Sequence, residues 1–254
     1  MRLSLLLAAG LVISPVRAQL AADQYYDPVE MAEARTKLKS GHGDQINTLV
    51  IGERVEYHSN DGEPLIVWEG QGWIGRDEHK LWLKTEGEVD IDAGTFEEAE
   101  LQALYSRAIK PFWDVQIGLR HDVKPTPSRS YFALGLQGLA PYWFEVDAAL
   151  FLSDEGDVST RVELEYEFRL TQRLILQPRI EINAAFSDDD ELGTGAGLAT
   201  GDFGLRLRYE IVREFAPYAG IAWSSAFGKT KKIRRTQNEE TNQLSIDVGL
   251  RFWF

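Results

Sequence analysis

The sequence predicts an all-β fold: a transmembrane up-and-down antiparallel β-barrel of about 12 strands, preceded by a short periplasmic N-terminal helix. Three observations carry that expectation. From Ile46 onward, segments of about ten residues alternate apolar and polar side chains, which is the strand period and the length a tilted strand needs to cross a bilayer. The links between segments alternate short and long, as when one rim of a barrel carries turns and the other carries loops. The final segment sets Leu244, Ile246, Val248, Leu250, Phe252 and Phe254 against Gln243, Ser245, Asp247, Gly249, Arg251 and Trp253, and ends on the apolar face.

Composition agrees with one barrel domain in 254 residues. A charged fraction of 26% and a mean hydropathy of -0.27 are compatible with a lipid face, because that face recurs only at every second residue. No run of about 18 apolar residues follows the N-terminal segment, which excludes a helical membrane protein. There is no cysteine, so disulfides and thiolate metal sites are excluded. Asp and Glu outnumber Lys and Arg 40 to 27, for a net charge of -13. That balance argues against a nucleic-acid partner and permits cationic ligands.

In chain order, Arg2, the apolar run Leu3 to Ile13, Pro15 and the small residues of Val16-Arg17-Ala18 have the layout of a secretory signal peptide, residues 1–18, cleaved after Ala18. Residues 19–45 form the expected periplasmic segment. Asp27 reads as an N-cap, with Pro28 at the first helical position and good helix formers from Met31 to Lys39. Gly41-His42-Gly43 reads as the stop. Residues 46–254 form the expected outer-membrane barrel.

The early strands fall at about 47–58, 65–74 and 95–107, with Leu81, Leu83 and Val89 on one face of a further strand against Lys84, Glu86 and Glu88. Next, Val115, Ile117 and Leu119 oppose Asp114, Gln116 and Arg120. A strand at 130–139 follows, and then Phe144, Val146, Ala148 and Leu150 oppose Glu145 and Asp147. The pattern is clearest later. Val158, Thr160, Val162, Leu164, Tyr166 and Phe168 share a face against Arg161, Glu163, Glu165, Glu167 and Arg169. Leu174 to Ile182, with Pro178 predicting a bulge or irregularity, Phe203 to Ile211, a strand at 217–227 and the final strand complete the set. Twelve strands place both termini on the periplasmic side. The long links include 187–201 and 229–242. Phe112-Trp113, Tyr142-Trp143-Phe144, Tyr218 and Trp253-Phe254 fall at the short-turn rim, as an interfacial aromatic girdle would. A β-sandwich would leave broken edges, and a lipocalin-like barrel has about eight strands and an apolar interior.

The polar faces then line a lumen. The expected charge network is Arg54, Glu56, Glu69, Lys84, Glu86, Asp114, Arg120, Glu145, Arg161, Glu163, Glu165, Arg179, Glu181, Arg206, Arg208, Glu210, Asp247 and Arg251. Such charges must pair or stay hydrated, so they either stiffen the barrel or form an acidic path for cations. Enzyme motifs are thin. A lipid-facing hydrolase needs His and Ser two apart on one strand, and His58-Ser59 places the pair on opposite faces. No metalloprotease, nucleophile-elbow, phosphate-loop or EF-hand pattern appears. The chain is therefore read as a non-enzyme.

Long stretches resemble one family. They are Gly72-Trp-Ile-Gly, Lys80-Leu-Trp-Leu-Lys-Thr-Glu-Gly-Glu, Glu100-Leu-Gln-Ala-Leu-Tyr-Ser-Arg-Ala-Ile, Pro111-Phe-Trp-Asp, Gln137-Gly-Leu-Ala-Pro-Tyr-Trp-Phe-Glu, Leu170-Thr-Gln-Arg-Leu-Ile-Leu-Gln-Pro-Arg, Leu205-Arg-Leu-Arg-Tyr-Glu-Ile, Arg213-Glu-Phe-Ala-Pro-Tyr and Val248-Gly-Leu-Arg-Phe-Trp-Phe. The chain resembles the outer-membrane copper-resistance protein B family over nearly all of 46–254. The resemblance implies a barrel acting in copper homeostasis or resistance at the cell outer membrane, with a copper ion as its ligand. Family members often carry a long Met- and His-rich extension. Here Met31 is the one methionine beyond the signal segment, which argues against storage of many ions. Met31, His42 and His58 are the candidate metal ligands. The expected partners are outer-membrane lipid, the barrel-assembly machinery through the C-terminal strand, and a periplasmic copper protein. The competing readings are a structural or small-solute porin without copper specificity and, last, an outer-membrane hydrolase.

Overall fold

The structure, a computed structural model, describes residues 25–42, 45–59, 64–189, 191–237 and 239–254, so the expected signal peptide, residues 1–18, lies outside the described residues. Two compact units divide the chain, one up to Asp44 and one from Gln45 to Phe254. In the first, helix α1 (Pro28–His42) starts where the cap residue puts it: the Asp27 carboxylate accepts from the backbone N–H of Val29 at 2.8 Å and of Glu30 at 3.2 Å. The helix runs through Gly41 to His42 instead of ending before them.

The second unit is a closed antiparallel ring. Its strands are β1 (Asn47–Ser59), β2 (Leu65–Gly75), β3 (His79–Asp90), β4 (Phe96–Lys110), β5 (Trp113–Lys124), β6 (Arg129–Ala140), β7 (Phe144–Ser153), β8 (Val158–Glu165), β9 (Phe168–Arg169), β10 (Leu174–Ala185), β11 (Gly197–Tyr209), β12 (Phe215–Ala226) and β13 (Asn242–Trp253). β8 and β9 are two pieces of one strand that lies beside β10, so the ring has twelve staves. Closure joins β1 to β13, from Ile51 opposite Trp253 to Ser59 opposite Ile246, and Phe254 exchanges backbone bonds with Val50 at 2.9 and 3.1 Å. A closed ring leaves no unpaired edge, which is the condition for a sheet in hydrocarbon.

The outward face is apolar: Leu244, Ile246, Val248 and Leu119 are about 60% exposed, and their neighbours round the ring roughly 40–50%. Such a continuous apolar belt is unstable in water and stable against lipid tails. Phe112, Tyr142, Trp143 and Phe254 are exposed at the short-turn rim, with Phe112 and Trp143 in edge-to-face contact. Tyr218 departs from the expected girdle. It is buried in the lumen, where its hydroxyl donates to Glu56.

The irregularity expected at Pro178 is present, as a gap in the neighbouring ladder and not as a bulge: the two-residue break Tyr166–Glu167 between β8 and β9 lies opposite it without a change of register. Lacking an N–H, Pro178 still accepts from Tyr166 at 3.2 Å. The link 229–242 contains helix α2 (Gly228–Thr236), and β11 begins at Gly197, which shortens the link expected at 187–201. In β1 the register shifts between Gly52 and Arg54 against β2 and between Gly52 and Val55 against β13, so Glu53 is an extra residue. The bulge turns both Glu53 and Arg54 inward: Glu53 meets Arg251 at 2.8 Å and Arg54 meets Glu69 at 2.6 Å.

Candidate functional site

The lumen holds two cavities of about 430 Å³ each, one toward the long loops and one toward the short turns. Both are lined by Arg54, Glu86, Phe151, Arg161, Arg179 and Arg206, so this layer lies where they meet. The layer is built from ion pairs, some between neighbouring staves and some across the barrel. Arg179 on β10 binds Glu163 on β8 through two bonds of 2.7 Å, reaches Glu181 at 2.8 Å and approaches Glu69 on β2 at 3.5 Å. Arg161 on β8 pairs with Glu86 on β3 and, at 3.0 Å, with Glu100 on β4. Lys84 on β3 pairs with Asp147 on β7. Side chains reach these partners because the staves are nearly opposite one another in a narrow ring. Removal of one partner would leave a dry charge, which is why the arginines come with two or three carboxylates each.

Every residue of the expected charge network lies in or beside this interior. Arg120 binds Asp122 and Glu100, each at 2.7 Å, and its guanidinium lies 4.6 Å from the centre of the Phe151 ring. Asp114 pairs with Lys80 at 2.8 Å. Arg208 pairs with Glu167 and stands 3.8 Å from Glu210. Glu165 accepts from Gln177, and Glu145 lies across the ladder from Glu165. The sequence reading missed Glu53, because the bulge inverts the alternation there, and Tyr218, because an aromatic near a rim reads as girdle.

The closing of the ring brings one further group together. Glu56 and His58 face inward from the loop side of β1, two residues apart on one face, and Asp247 faces them from β13, where it is the direct neighbour of His58. His58 Nε2 lies 2.8 Å from Glu56 Oε1 and 3.6 Å from Asp247 Oδ1, and one ligand atom from each of the three falls within 4.8 Å of the others. Glu56 is also the acceptor for Arg206, through Nε at 3.0 Å and Nη2 at 2.9 Å, and for the Tyr218 hydroxyl at 2.7 Å. Asp247 is fully buried; Oδ1 accepts from Ser245 at 2.6 Å and Oδ2 has no hydrogen-bond partner. Gly249 makes the arrangement fit. A Cβ there would sit 2.6 Å from both the Tyr218 hydroxyl and the Glu56 Cβ.

The other candidate ligands are not part of this group. Met31 and His42 belong to α1, and the side chain of His42 lies outside what the structure describes. Eleven residues of helix separate them by about 16 Å along the axis, too far for one ion. On the outward face His121 Nδ1 lies 3.0 Å from Ser130 Oγ, a His–Ser contact that a search along one strand misses because the residues sit on β5 and β6. The neighbour of His121 on its other side is Leu101, which offers no group to orient an imidazole.

Residues 46–254 match the family described as copper resistance protein B precursor. The chain is 42% identical over 213 residues to copper resistance protein B of Escherichia coli, covering 84% of this chain and 71% of that protein. It is 39% identical over 281 residues to a copper resistance protein B homolog of Pseudomonas syringae pv. tomato, covering 99% and 95%. Among solved structures, the NanC porin and the KdgM porin in complex with disordered oligogalacturonate each match with a TM-score of 0.50, over 81% of this chain and 99% of theirs, at 12% and 10% identity; these share the fold. The chain belongs to the copper resistance protein B family.

Proposed function

We propose that this member of the copper resistance protein B family acts at the outer membrane by admitting copper ions into its acidic lumen and governing their passage. The observation that carries the reading is the loop-side cavity, whose wall combines Glu88, Glu98, Asp122, Glu181 and Asp202 with the imidazole of His58. Carboxylates focused in a narrow mouth concentrate cations, and an imidazole among them favours copper over the alkaline-earth ions. The apolar belt meets lipid, the exported chain enters the membrane through the assembly machinery that reads the β13 end, and a periplasmic copper protein is the partner at the short-turn side. No catalytic step enters this reading.

Deleting the gene and following survival and cell-associated copper over a copper series tests the proposal; values unchanged from the parent strain would sink it. The competing reading, a small-solute porin, needs an open path. The ion pairs of Arg161 and Arg179 that cross from β8 and β10 to β2, β3 and β4 speak against one. The purified barrel in a planar bilayer is expected to conduct weakly, and a large steady conductance indifferent to copper would favour the porin.

A further inference from the structure

We propose that Glu56, His58 and Asp247 form a binding site for a single divalent copper ion, placed on the loop side of the arginine layer. The proposal rests on the copper-handling reading above and narrows it to one place and one oxidation state. Its geometric basis is the set of three potential donors within 4.8 Å of one another, one imidazole nitrogen and two carboxylate oxygens. Its second basis is the bare oxygen of Asp247. A fully buried carboxylate whose Oδ2 has no partner is costly, and a native structure tolerates one chiefly where an ion or a water completes it. Near Asp247 the nearest positive candidate is His58, at 3.6 Å, and that imidazole already faces Glu56 at 2.8 Å. Arg206 is committed to Glu56 through Nε and Nη2.

The donor chemistry decides the ion. Cu(II) takes imidazole and carboxylate together, whereas Cu(I) seeks thioether and thiolate. No cysteine exists in the chain, and Met1 and Met31 both lie before the barrel, so the lumen offers no soft sulfur. Binding asks for little movement. The imidazole turns the lone pair of Nε2, the nitrogen that faces Glu56, to the metal and carries its proton on Nδ1, while Arg206 and Tyr218 keep Glu56 in place. On the side toward the arginine layer Arg54, at 3.4 Å, and Arg206, at 2.9 Å, both touch Glu56; their charge stops a cation from sliding onward unassisted. The site is therefore a stopping point between the acidic mouth and the arginine layer.

The test uses the full chain in detergent, titrated with Cu(II) alone and followed by electron paramagnetic resonance and calorimetry. The wild type is expected to bind one Cu(II) with hyperfine splitting from a single nitrogen. His58→Gln should lose that splitting and bind at least about thirtyfold more weakly, and Asp247→Asn at least about tenfold more weakly. Both are near-isosteric; their folded state is read from the electrophoretic shift on heating, and if one misfolds the other still decides. Cu(I), held reduced in competition with a chromogenic chelator, should not be retained. Unchanged nitrogen splitting and affinity in His58→Gln, or retention of Cu(I) as tight as Cu(II), overturns the proposal. The two readings separate cleanly. Copper sensitivity on gene deletion together with wild-type binding by His58→Gln removes the site and leaves the copper role. Site-specific binding in a strain whose survival ignores the gene removes the role and leaves the site.

Discussion

Replacing Arg179 by methionine tests whether the buried ion pairs of the lumen hold the barrel together. Arg179 is 6% exposed and gives two bonds of 2.7 Å to Glu163 and one of 2.8 Å to Glu181, with Glu69 at 3.5 Å. Methionine keeps most of the length of the stem and removes the charge, so Glu163 loses its cation, while Glu69 keeps Arg54 at 2.6 Å and Glu181 keeps Arg161 at 3.5 Å. Breaking a buried pair by deleting one partner costs about 3–5 kcal/mol, and the hydrated cavities on either side favour the lower end. At about 3 kcal/mol the ratio of folded to unfolded protein falls roughly a hundredfold. Denaturant unfolding in micelles reads this as a lower midpoint with the slope unchanged. The companion Glu163→Gln and the double variant close a mutant cycle, in which a coupling above about 1.5 kcal/mol is expected, against at most about 1 kcal/mol for an exposed pair. A midpoint within about 0.5 kcal/mol of wild type, or a coupling near zero, would refute the argument that these pairs are structural.

Other outcomes follow from the same contacts. Gly249→Val places a side chain where the Tyr218 hydroxyl and Glu56 already stand 2.6 Å from a Cβ, so it should cost about 1–3 kcal/mol in denaturant unfolding; unchanged stability would mean that the wall can yield there. Arg129→Ala removes the buried cation that ties Glu155 at 2.9 Å to Asp189 at 3.2 Å and Glu191 at 3.4 Å, and should speed proteolytic nicking within 153–157 and 186–196 while the strands stay protected from hydrogen exchange. The Asp188 carboxyl is held below its ordinary value of 3.8, first by the Ala196 backbone N–H and then by Lys229 at 2.9 Å. A depressed acid stabilises above its unfolded value and loses that contribution as pH falls through the folded one, so the tie between α2 and the 186–196 link should persist at pH 5 and weaken below about 3.8. Amide exchange at Ala196 measures it, and an Asp188→Asn variant should show the weakened state at every pH.

The barrel was legible in the chain because its governing signal is local. A strand of Leu244 to Phe254 announces its two faces by a period of two residues, and the alternation of short and long links assigns the rims without knowledge of any partner. The charged rows on β1, β8, β10 and β11 were legible for the same reason, and so was the belt that faces lipid. What failed locally were the places where backbone or register departs from the period. The extra residue Glu53 inverts the alternation within β1. The irregularity expected at Pro178 falls on the neighbouring strand, and the run Lys229 to Arg235 folds into a helix whose Thr230 is buried against Gly195.

Partnership was beyond the sequence altogether. Arg179 and Glu69 are on nearly opposite staves, and Arg161 finds Glu86 and Glu100 only across the width of the lumen. His58 was visible as an imidazole beside a carboxylate, yet its third companion, Asp247, arrives through the last pairing in the ring, β1 with β13. Apart from the bulged Glu53 and the rim residue Tyr218, the sequence by itself determined which side chains point inward, because that depends on neighbours one and two residues away. The tertiary structure decided which of them touch, because contact in a closed barrel depends on register and shear accumulated through every strand between.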